Sequence, residues 1–567
     1  MAQLLLNTKQ NLKAAVLEAI QKGIAAGDFP EAELPPVNIE IPADSKNGDF
    51  STNAAMALAR TFRNNPRKIA EIITGNINLG TLPIAKCEIA GAGFINFYLS
   101  EDYYAAVVAE AIEKGETFGA SDYGKKERIN VEFVSANPTG PMHMGNARGG
   151  ALGDCLAAVL EKAGYYVERE FYVNDAGNQI LKFALSLSIR YLSLYLPEGD
   201  PRCELPEDSY HGADILERAK EFAAVYGDAY VNVSEDERQK ALVDFALPKN
   251  IAAMKELMHT YRIEYDTWFL ESELHKKEVG EVIDILTEKG YTYEKDGALW
   301  FAAAKVGGEE YKDEVLVRSN GTPTYFTADI AYHRNKLSKR NFARAIDIWG
   351  ADHHGHVARL KNALNAVGEN GDKLDVVLMQ LVRLIKDGKP AKMSKRTGKA
   401  ITLEDLLSDI PADAVRFLFN MRESTSQMDF DLDLAVEQSS QNPVYYVQYA
   451  HARICSIIRK MEEEGIIMRT CSAEELKLLN SEEELAIIRH LASLTEEIIT
   501  AAKAYDPARI TRFVTTLATL FHKFYNARRV AVEDEALMMA RLNLCLAVKT
   551  TIKSILEMFK ITAPEKM

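Results

Sequence analysis

The hydrophobic positions of the first hundred residues change period twice. Leu12, Val16 and Ile20 recur at helical spacing, and two further helical stretches cover residues 54–60 and 66–73. After the first helix, the Pro-bounded segment LPPVNIEIP is typical of extended chain, and the apolar run GFINFYL predicts a strand. Residues 1–105 are therefore expected to form a compact α/β module.

A strand-to-helix change of period begins at residue 128. INVEFVSA predicts a buried strand, NPTGPMHMGN is turn-forming, and ARGGALGDCLAAVLEKAG predicts a helix that ends near Gly164. Strand, glycine-containing loop and helix in this order are typical of a doubly wound nucleotide-binding fold. Charged residues with Gly and Pro breaks predict a helical insertion at about 180–310, and a second α/β half is expected from EVLVRS to ITLEDLL. Residues 106–435 are therefore expected to form one Rossmann-type domain.

The remainder of the chain has helical period almost throughout. Its first helix is expected just after Asn442, and the apolar positions on one face of that helix are Val444, Val447, Ile454 and Ile458. Residues 436–567 are expected to form an all-α bundle.

Composition narrows the class of protein. The chain has 567 residues and a formal net charge of -15, which disfavours a general nucleic-acid binder but allows a local basic face. Six scattered cysteines without a C-x-x-C pair disfavour a zinc knuckle or a disulfide framework. The amino end has neither the pattern of a signal peptide nor that of a membrane span, so a cytoplasmic location is expected.

One short segment is strongly basic in this acidic chain. KPAKMSKRTGKAIT, residues 389–402, collects lysines and hydroxyls around Lys392 and Lys395, between Gly388 and Gly398. Two glycines would let such a loop close over an anion, whereas a merely solvated charge run would not need them.

A second anion-binding pattern lies where the strand at residue 128 passes into its helix. In PMHMGN, His143 and Asn146 stand on either side of Gly145, so backbone N–H groups, the helix dipole and two side chains converge there. Alone, the hexapeptide favours an ordinary glycine-containing loop with an incidental histidine. Together with KMSK it predicts a phosphate site, and a P-loop is excluded because no G-x-x-x-x-G-K-[ST] occurs.

Two acidic or histidine-rich segments invite a metal interpretation that their spacing disfavours. GADHHGH crowds Asp352 and three histidines into five residues, which cannot easily form a tetrahedral zinc site. MDFDLDLAVEQSS has Leu434 and Ser440 where a calcium loop needs Gly and Glu. No metal site is therefore expected, and Asp429, Asp431 and Asp433 are expected to be structural acids near a domain junction.

Taken together, the motifs resemble those of class I aminoacyl-tRNA synthetases, which carry an H-x-G-H-like signature after the first strand and K-M-S-K after the last. VEFVSANPTGPMHMGNARGGALGD, YVNDAGNQ, TADIAYH, WGADHHGH, HARICS and FYNARRV are similar, in this order, to arginyl-tRNA synthetases of the bacterial type. The resemblance extends from about residue 35 to the carboxyl-terminal methionine.

This resemblance implies a Rossmann-like class I catalytic domain between an N-terminal tRNA-elbow-binding α/β module and a C-terminal helical anticodon-binding bundle. It implies an enzyme that activates L-arginine with ATP, releases pyrophosphate and transfers arginine to the 3′ end of tRNA(Arg). Mg²⁺ would arrive with ATP rather than in a protein cage. A monomer that needs bound tRNA for activation is also implied.

The resemblance assigns an ATP site whose members come from both signatures and from the G-x-D of WGADHHGH. Its expected residues are His143, Gly145, Asn146, Gly350, Asp352, Lys392, Ser394 and Lys395. His143, Asn146, Lys392 and Lys395 are expected to be catalytic, and Asp352 to bind ribose. Position 146 departs from the family pattern, which usually has a second His; the amide can donate a hydrogen bond but carries no charge.

The expected arginine site is built around carboxylates, because a planar guanidinium with five donors suits bidentate acceptors. By resemblance its residues are Ser135, Asn137, Glu271, Tyr325 and Asp329.

The expected tRNA contacts lie outside the catalytic domain. By resemblance they are Phe94, Asn96 and Tyr98 in the first module and Tyr449, Arg453, Tyr525 and Met567 in the bundle. Aromatic residues at helical spacing are also typical of a core.

Two other functions stay open at this point. One is a catalytically silent RNA-binding relative, which the intact KMSK segment disfavours. The other is a class I synthetase for another amino acid; the absence of a large editing insertion fits arginine, which polar contacts can select alone.

Overall fold

The structure is a computed structural model that describes residues 4–42, 44–391 and 401–567. The chain forms an N-terminal module, a central domain and a C-terminal bundle. Within the described ranges, no helix is long and apolar enough to cross a membrane.

The N-terminal module is the expected α/β unit. Its elements are α1 (Leu4–Ala25), β1 (Phe50–Thr52), α2 (Ala54–Phe62), α3 (Pro66–Asn76), β2 (Ile84–Ala90), β3 (Phe94–Leu99) and α4 (Glu101–Lys114). The strands form an antiparallel sheet in the order β1-β3-β2. LPPVNIEIP contributes only an isolated bridge between Glu40 and Ser51.

The central domain begins with three strands; one helix separates the first two, and three helices separate the second from the third. These elements are β4 (Arg128–Glu132), α5 (Gly145–Lys162), β5 (Tyr166–Val173), α6 (Gly177–Leu192), α7 (Ala213–Tyr226), α8 (Glu235–Thr260) and β6 (Thr267–Leu270). Strand β4 is shorter than INVEFVSA, because Val134 and Ser135 adopt left-handed φ values of 73° and 45°. A β-branched residue rarely takes this conformation, so the turn after β4 is strained.

The next part of the domain adds a small antiparallel sheet and the second half of the parallel one. Its elements are α9 (Glu271–His275), α10 (Glu278–Glu288), β7 (Thr292–Lys295), β8 (Ala298–Phe301), α11 (Ala304–Gly307), β9 (Glu314–Val317), α12 (Tyr325–Arg334), β10 (Arg344–Gly350), α13 (His354–Val367) and β11 (Leu374–Met379).

Five strands of the central domain form one parallel sheet in the order β11-β10-β4-β5-β6. The strand order reverses between β4 and β10, which is the point where ligands bind in doubly wound folds. The doubly wound fold expected from the sequence is confirmed.

The helical insertion expected at about 180–310 is not continuous. Strand β6 interrupts it and joins the parallel sheet, and β7 and β8 pair with β9 in the small sheet. EVLVRS contains β9, so the second half of the parallel sheet starts later, at Arg344. A strand of four residues between charged helices is too short for its hydrophobic period to be distinguished from that of a helix.

The domain ends in a second small sheet that borders the KMSK segment. Its elements are β12 (Val382–Lys386), β13 (Lys389–Pro390), α14 (Leu403–Asp409), α15 (Ala412–Phe419), β14 (Met428–Asp431) and α16 (Leu432–Val436), with strand order β13-β12-β14. Asp431 caps α16, and Asp429 pairs with Arg383 at 2.7 Å. These acids have the structural roles expected of them.

The C-terminal bundle is all helical, as expected. Its helices are α17 (Pro443–Glu463), α18 (Ala473–Leu476), α19 (Glu482–Ala492), α20 (Leu494–Ala504), α21 (Ala508–Ala527) and α22 (Glu535–Met558). Helix α17 starts with Asn442 as its cap and Pro443 in its first turn. Arg489 donates to Asp49 at 2.6 Å, which holds the bundle against the N-terminal module.

Helix α5 lies unusually close to the sheet. A Cβ at Gly153 would stand 2.1 Å from Cγ of Phe133, so only glycine fits this approach. We predict that Gly153→Ala lowers the free energy of unfolding by about 1–3 kcal/mol or more, because the helix must move away from β4. Thermal unfolding measures this loss.

Gly280→Ala is the matched control. Gly280 lies in α10, and no described atom would come within 4 Å of its new Cβ. The free energy of unfolding of the Gly280→Ala variant should rise by up to about 1 kcal/mol, because alanine has a higher helix propensity than glycine. Equal effects at both positions would contradict the close approach of α5.

Candidate active site

The amino end of α5 carries the first signature. His143 and Gly145 are exposed, and a Cβ at Gly145 would meet no described atom within 4 Å. Packing therefore does not require a glycine here, and its absence of a side chain leaves the helix N–H groups open to a ligand. An anion could bind directly at this helix end.

Asn146 differs from its expected role as a donor. Its Oδ1 accepts a hydrogen bond from the backbone N–H of His143 at 3.0 Å. The amide oxygen thus fixes the turn that presents His143. Sequence reasoning considered only the amide hydrogens and missed this acceptor contact.

The segment that begins at Ile401, just after the KMSK segment in sequence, lies beside this helix end. Met144 N–H donates to Ile401 O at 3.3 Å, and Leu403 N–H donates to Met142 O at 3.0 Å. A cavity of about 330 Å³ opens here, lined by His143, Met144, Gly145, Val382, Arg383, Leu384, Pro390, Ala391 and Ile401. The two flanks of the basic segment, Ala391 and Ile401, thus border the α5 amino end.

Three expected ATP residues, Lys392, Ser394 and Lys395, lie outside the described residues.

The carboxyl end of β10 contributes Gly350 and Asp352. A Cβ at Gly350 would stand 2.5 Å from Oδ1 of Asp352, a contact that the exposed Asp352 side chain can relieve by moving. The Asp352 side chain is 84% exposed, and its Oδ2 lies 3.8 Å from Nε2 of His353. His353 and His356 lie beside the Trp349 ring, with ring centroids 6.0 and 5.6 Å away, rather than around a common point.

Glu271 and Asp329 both lie near the Tyr172 hydroxyl. Burial raises the pKa of the Tyr172 hydroxyl, and the carboxylates of Glu271 and Asp329 raise it further. Because both charges act on one hydroxyl, the two acids share one neighbourhood although 58 residues separate them in sequence. The structure brings together the two acids that the sequence selected.

Each acid also has partners that sequence reasoning missed. Glu271 is buried and lies 3.1 Å from His275 Nε2, and the Asn174 amide, oriented by its hydrogen bonds, donates to it at 2.7 Å. Asp329 Oδ2 is 2.8 Å from Nε2 of His356. The i,i+4 spacing of Glu271 and His275 was a signal that could have found one of them.

A second cavity, of about 360 Å³, adjoins Glu271. It is lined by residues of α6, α9 and the start of α12, among them Tyr325, and by Arg318. Tyr325 is 40% exposed at the first position of α12, one turn before Asp329. Tyr325 and Glu271 therefore face the same open space.

Ser135 and Asn137 follow the strained turn after β4. The Ser135 hydroxyl donates to Glu132 Oε1 at 2.8 Å and accepts from the Tyr172 N–H at 3.2 Å. Its hydrogen is therefore used to hold the turn. Asn137 is exposed at the same edge of the sheet.

A buried ionic network lies beneath this edge. Lys336 Nζ is 2.5 Å from Glu132 Oε2 and 2.9 Å from Asp347 Oδ1, and its side chain is fully buried. Burial opposes the charged form of Lys336, but Asp347 and Glu132 outweigh it and raise its pKa. Glu132, His333 and Asp347 have the spacing of metal ligands, yet the Lys336 ammonium already supplies their cation.

His333 completes the network and reaches the backbone of Asp329, one of the two expected arginine-site acids. Its Nε2 is 2.6 Å from Asp347 Oδ2 and its Nδ1 is 2.7 Å from the carbonyl oxygen of Asp329. Two acceptors require a proton on both ring nitrogens. Burial works against this charge, but Asp347 raises the pKa of His333 nonetheless.

The three expected tRNA contacts in the first module occupy every second position of β3 and so share one face of the strand. Phe94 is 43% exposed, and Tyr98 donates through its hydroxyl to Lys46 O at 3.1 Å. Asn96 is only 4% exposed, and its Oδ1 accepts from Ser51 Oγ at 2.9 Å. Asn96 therefore differs from the surface position that its neighbours share.

Three of the four expected bundle contacts form a stack. The Arg453 guanidinium lies 4.6 Å from the Tyr449 ring and 4.7 Å from the Tyr525 ring. Tyr445, which sequence reasoning missed, stacks on Tyr449 at 6.3 Å. Met567 is exposed at the chain end, outside this stack.

Comparison with family models agrees with this architecture. Residues 9–99 match the arginyl tRNA synthetase N terminal domain, residues 107–458 the catalytic domain of class I (R) tRNA synthetases, and residues 447–567 the DALR anticodon binding domain. The chain is thus a class I aminoacyl-tRNA synthetase.

Whole-chain comparisons narrow the class further. The arginine–tRNA ligase of Ruminiclostridium cellulolyticum is 52% identical over 560 residues, 99% of each chain, and that of Caldanaerobacter subterraneus subsp. tengcongensis is 52% identical over 568 residues, the whole of each. The Thermus thermophilus arginyl-tRNA synthetase structure shares the fold, with a TM-score of 0.74 at 22% identity over 99% of this chain and all of its own. This chain belongs to the arginyl-tRNA synthetase family.

We predict that Lys336→Met destabilises the protein by about 3–5 kcal/mol near neutral pH, because two buried carboxylates lose their counter-charge. Their pKa values in the folded variant then rise above the unfolded values. Such groups keep their stabilising effect at low pH and lose it as pH rises. The deficit against the unaltered protein should therefore be larger at pH 8 than at pH 5, as measured by thermal unfolding.

Lys339→Met is the control three residues further on. Lys339 is partly exposed and pairs with Glu278 and Glu281 at the surface. The Lys339→Met substitution should lower the free energy of unfolding by less than about 1 kcal/mol at either pH. If the loss of stability in Lys336→Met were the same at both pH values, the compensating role of the Lys336 ammonium would be wrong.

Proposed function

We propose that this chain joins L-arginine to tRNA(Arg) in two steps, with ATP and Mg²⁺ as the nucleotide substrate. In the first step a carboxylate oxygen of arginine attacks the α-phosphorus of ATP, and the bond to pyrophosphate breaks. In the second step a ribose hydroxyl at the 3′ end of tRNA attacks the arginyl carbonyl, and AMP leaves. The observation that carries this proposal is that Glu271 and Asp329 both act on the Tyr172 hydroxyl near the end of β5. Because β4 and β5 are parallel, this is the same edge of the sheet as the open amino end of α5.

The amino end of α5 would hold the triphosphate. His143, the helix N–H groups at Gly145 and the turn fixed by Asn146 meet the phosphates from one side. Lys392, Ser394 and Lys395 would close from the other as charge develops on the leaving pyrophosphate. Their role is supported by the position of Ala391 and Ile401 beside His143 in one cavity.

The adenosine part would lie along the carboxyl end of β10. Asp352 is suited to accept hydrogen bonds from ribose hydroxyls, and Gly350 leaves room for the nucleoside. Mg²⁺ would enter with ATP, since the buried Glu132, His333 and Asp347 cluster already holds Lys336.

The guanidinium of arginine would bind between Glu271 and Asp329. Two carboxylates offer the bidentate acceptors that a planar five-donor cation needs and a lysine ammonium does not. Tyr325 would pack on the side chain at the cavity mouth, and Asn137, with the turn that Ser135 holds, would meet the amino acid's polar head.

The reaction requires no protein nucleophile, because the attacking group belongs to the substrate. The residues above therefore act by positioning the reactants and stabilising developing charge.

The tRNA would contact both outer modules. Phe94, Asn96 and Tyr98 would face its elbow, although Asn96 would have to exchange its bond to Ser51. Tyr449, Arg453 and Tyr525 would receive anticodon bases, since stacked rings with an intercalated guanidinium suit base stacking. Met567 would contribute at the chain end. A monomer in the cytoplasm fits this assignment.

Pyrophosphate exchange with each amino acid, with and without tRNA(Arg), tests the proposal. We expect exchange with arginine alone among the amino acids, and only when tRNA is present. Exchange with a different amino acid would assign another specificity. No exchange, with tRNA binding retained, would favour the silent RNA-binding alternative.

We predict that Asp329→Asn weakens arginine binding by about 2–4 kcal/mol, roughly 30- to 700-fold in Kd, because the guanidinium loses one counter-charge. Binding of a non-hydrolysable ATP analogue should scarcely change. Isothermal titration with each ligand separates the two effects.

Asp313→Asn is the matched control. Asp313 accepts hydrogen bonds from Tyr293 and Ala303 away from both cavities, so its loss should leave both affinities unchanged. Equal loss of arginine and ATP analogue in Asp329→Asn would indicate misfolding, and unchanged arginine affinity would remove Asp329 from the pocket.

A further inference from the structure

Arg148 is a buried cation near the amino end of α5, where the proposed phosphate site lies. It lies in the first turn of α5, two residues after Asn146, and is 1% exposed. Its Nη1 donates to Gln380 O at 2.7 Å, and its Nη2 donates to Glu423 O at 2.9 Å and Ser426 O at 3.0 Å. All three acceptors are neutral backbone carbonyls.

No carboxylate of residues 4–42, 44–391 or 401–567 forms an ion pair with Arg148, and the residues outside these ranges include no Asp or Glu. Burial alone lowers its pKa, without a compensating charge. A buried charge of this kind is costly unless something else offsets it.

Three other buried cations of the described chain have a carboxylate partner. Arg416, also fully buried, pairs with Asp154, and Lys336 pairs with Glu132 and Asp347. Arg541 pairs with Glu484. Arg148 differs from these three in having only dipoles as partners. Arg238, which is 7% exposed, shares this arrangement, since it donates to Ser188 Oγ and Val233 O.

The three carbonyls belong to the two chain connections that support the β13-β12-β14 sheet. Gln380 joins β11 to β12, while Glu423 and Ser426 precede β14. Gln380 N–H also donates to Ser424 O at 2.9 Å, which ties the two connections together. The guanidinium thus fastens both to α5, and the same sheet leads through β13 into the KMSK segment.

We propose that Arg148 is a positioning residue for arginine activation: it supplies a fixed positive charge behind the triphosphate and holds the KMSK-bearing sheet in register with the amino end of α5. This inference rests on the proposed ATP site. The incoming triphosphate would supply the negative charge that the protein itself does not. Arginine binding, on the Glu271 and Asp329 side, should not depend on Arg148.

Two substitutions separate charge from geometry. Arg148→Lys keeps the charge but loses the three-carbonyl fork, whereas Arg148→Met loses both. We expect Arg148→Lys to lower the single-turnover rate of adenylate formation by about 10- to 100-fold with little change in affinity for a non-hydrolysable ATP analogue. Arg148→Met should also weaken analogue binding about tenfold or more. Arginine affinity, measured by titration, should stay within about threefold in both.

Arg416→Lys is the matched control, a buried arginine in the same domain with Asp154 as its partner. It should lower the thermal unfolding temperature without separating ATP from arginine binding. If the Arg148 variants change adenylate rate and analogue affinity no more than Arg416→Lys does, the proposal is overturned. Equal loss of both ligands would also overturn it, because it would indicate a structural role only.

Hydrogen exchange on the unaltered protein gives a test that does not depend on the variants folding. The ATP analogue should slow exchange at the Gln380 amide, and arginine alone should not. No slowing with the analogue would overturn the proposal. Absence of arginine-dependent exchange of pyrophosphate in the unaltered protein would instead contradict the proposed function.

Discussion

The parallel sheet of this protein depends on one buried cation. Glu132 of β4 and Asp347 of β10 are directly paired in register at the point where the strand order reverses. Two ionised carboxylates side by side in the interior would repel each other, and at least one would take up a proton. Without a counter-charge, these strands could not pair with both carboxylates ionised. The Lys336 ammonium, bonded to both, makes the pairing possible. The site at the carboxyl ends of the two strands therefore rests on an ion network and not on apolar packing alone.

This network is nearly balanced in charge and reaches both parts of the site. Lys336, His333 and Arg340 face Glu132, Asp347 and Glu170. Through Ser135 it holds the strained turn after β4, and through His333 it holds the Asp329 carbonyl. A neutral cluster adds little field to either side, so it can fix geometry without favouring a cation or an anion above it.

Much of the fold could be predicted from the sequence, because it depends on local signals. The helix cap at Asn442, the strand of GFINFYL and the loop-to-helix transition before α5 each have a recognisable pattern. Strand β6 could not be predicted, since four residues between charged helices lack a distinct period. The shortening of β4 was also out of reach, because the left-handed turn at Val134 contradicts the preference of its residue type.

The candidate site divides in the same way. The chemistry of a guanidinium predicted carboxylates, and the family resemblance selected Glu271 and Asp329 among them. The fold brings both to one tyrosine. The roles of Lys336 and Arg148 could not be predicted from the sequence. A lysine or arginine in a helical pattern is normally a surface residue, and only the structure shows that these two are buried. The two differ in what offsets their charge: Lys336 is satisfied by the protein, whereas Arg148 is met by dipoles alone. At the proposed phosphate site, a protein of net charge -15 would thus keep positive charge by leaving the buried Arg148 without a carboxylate where the substrate brings its own negative charge.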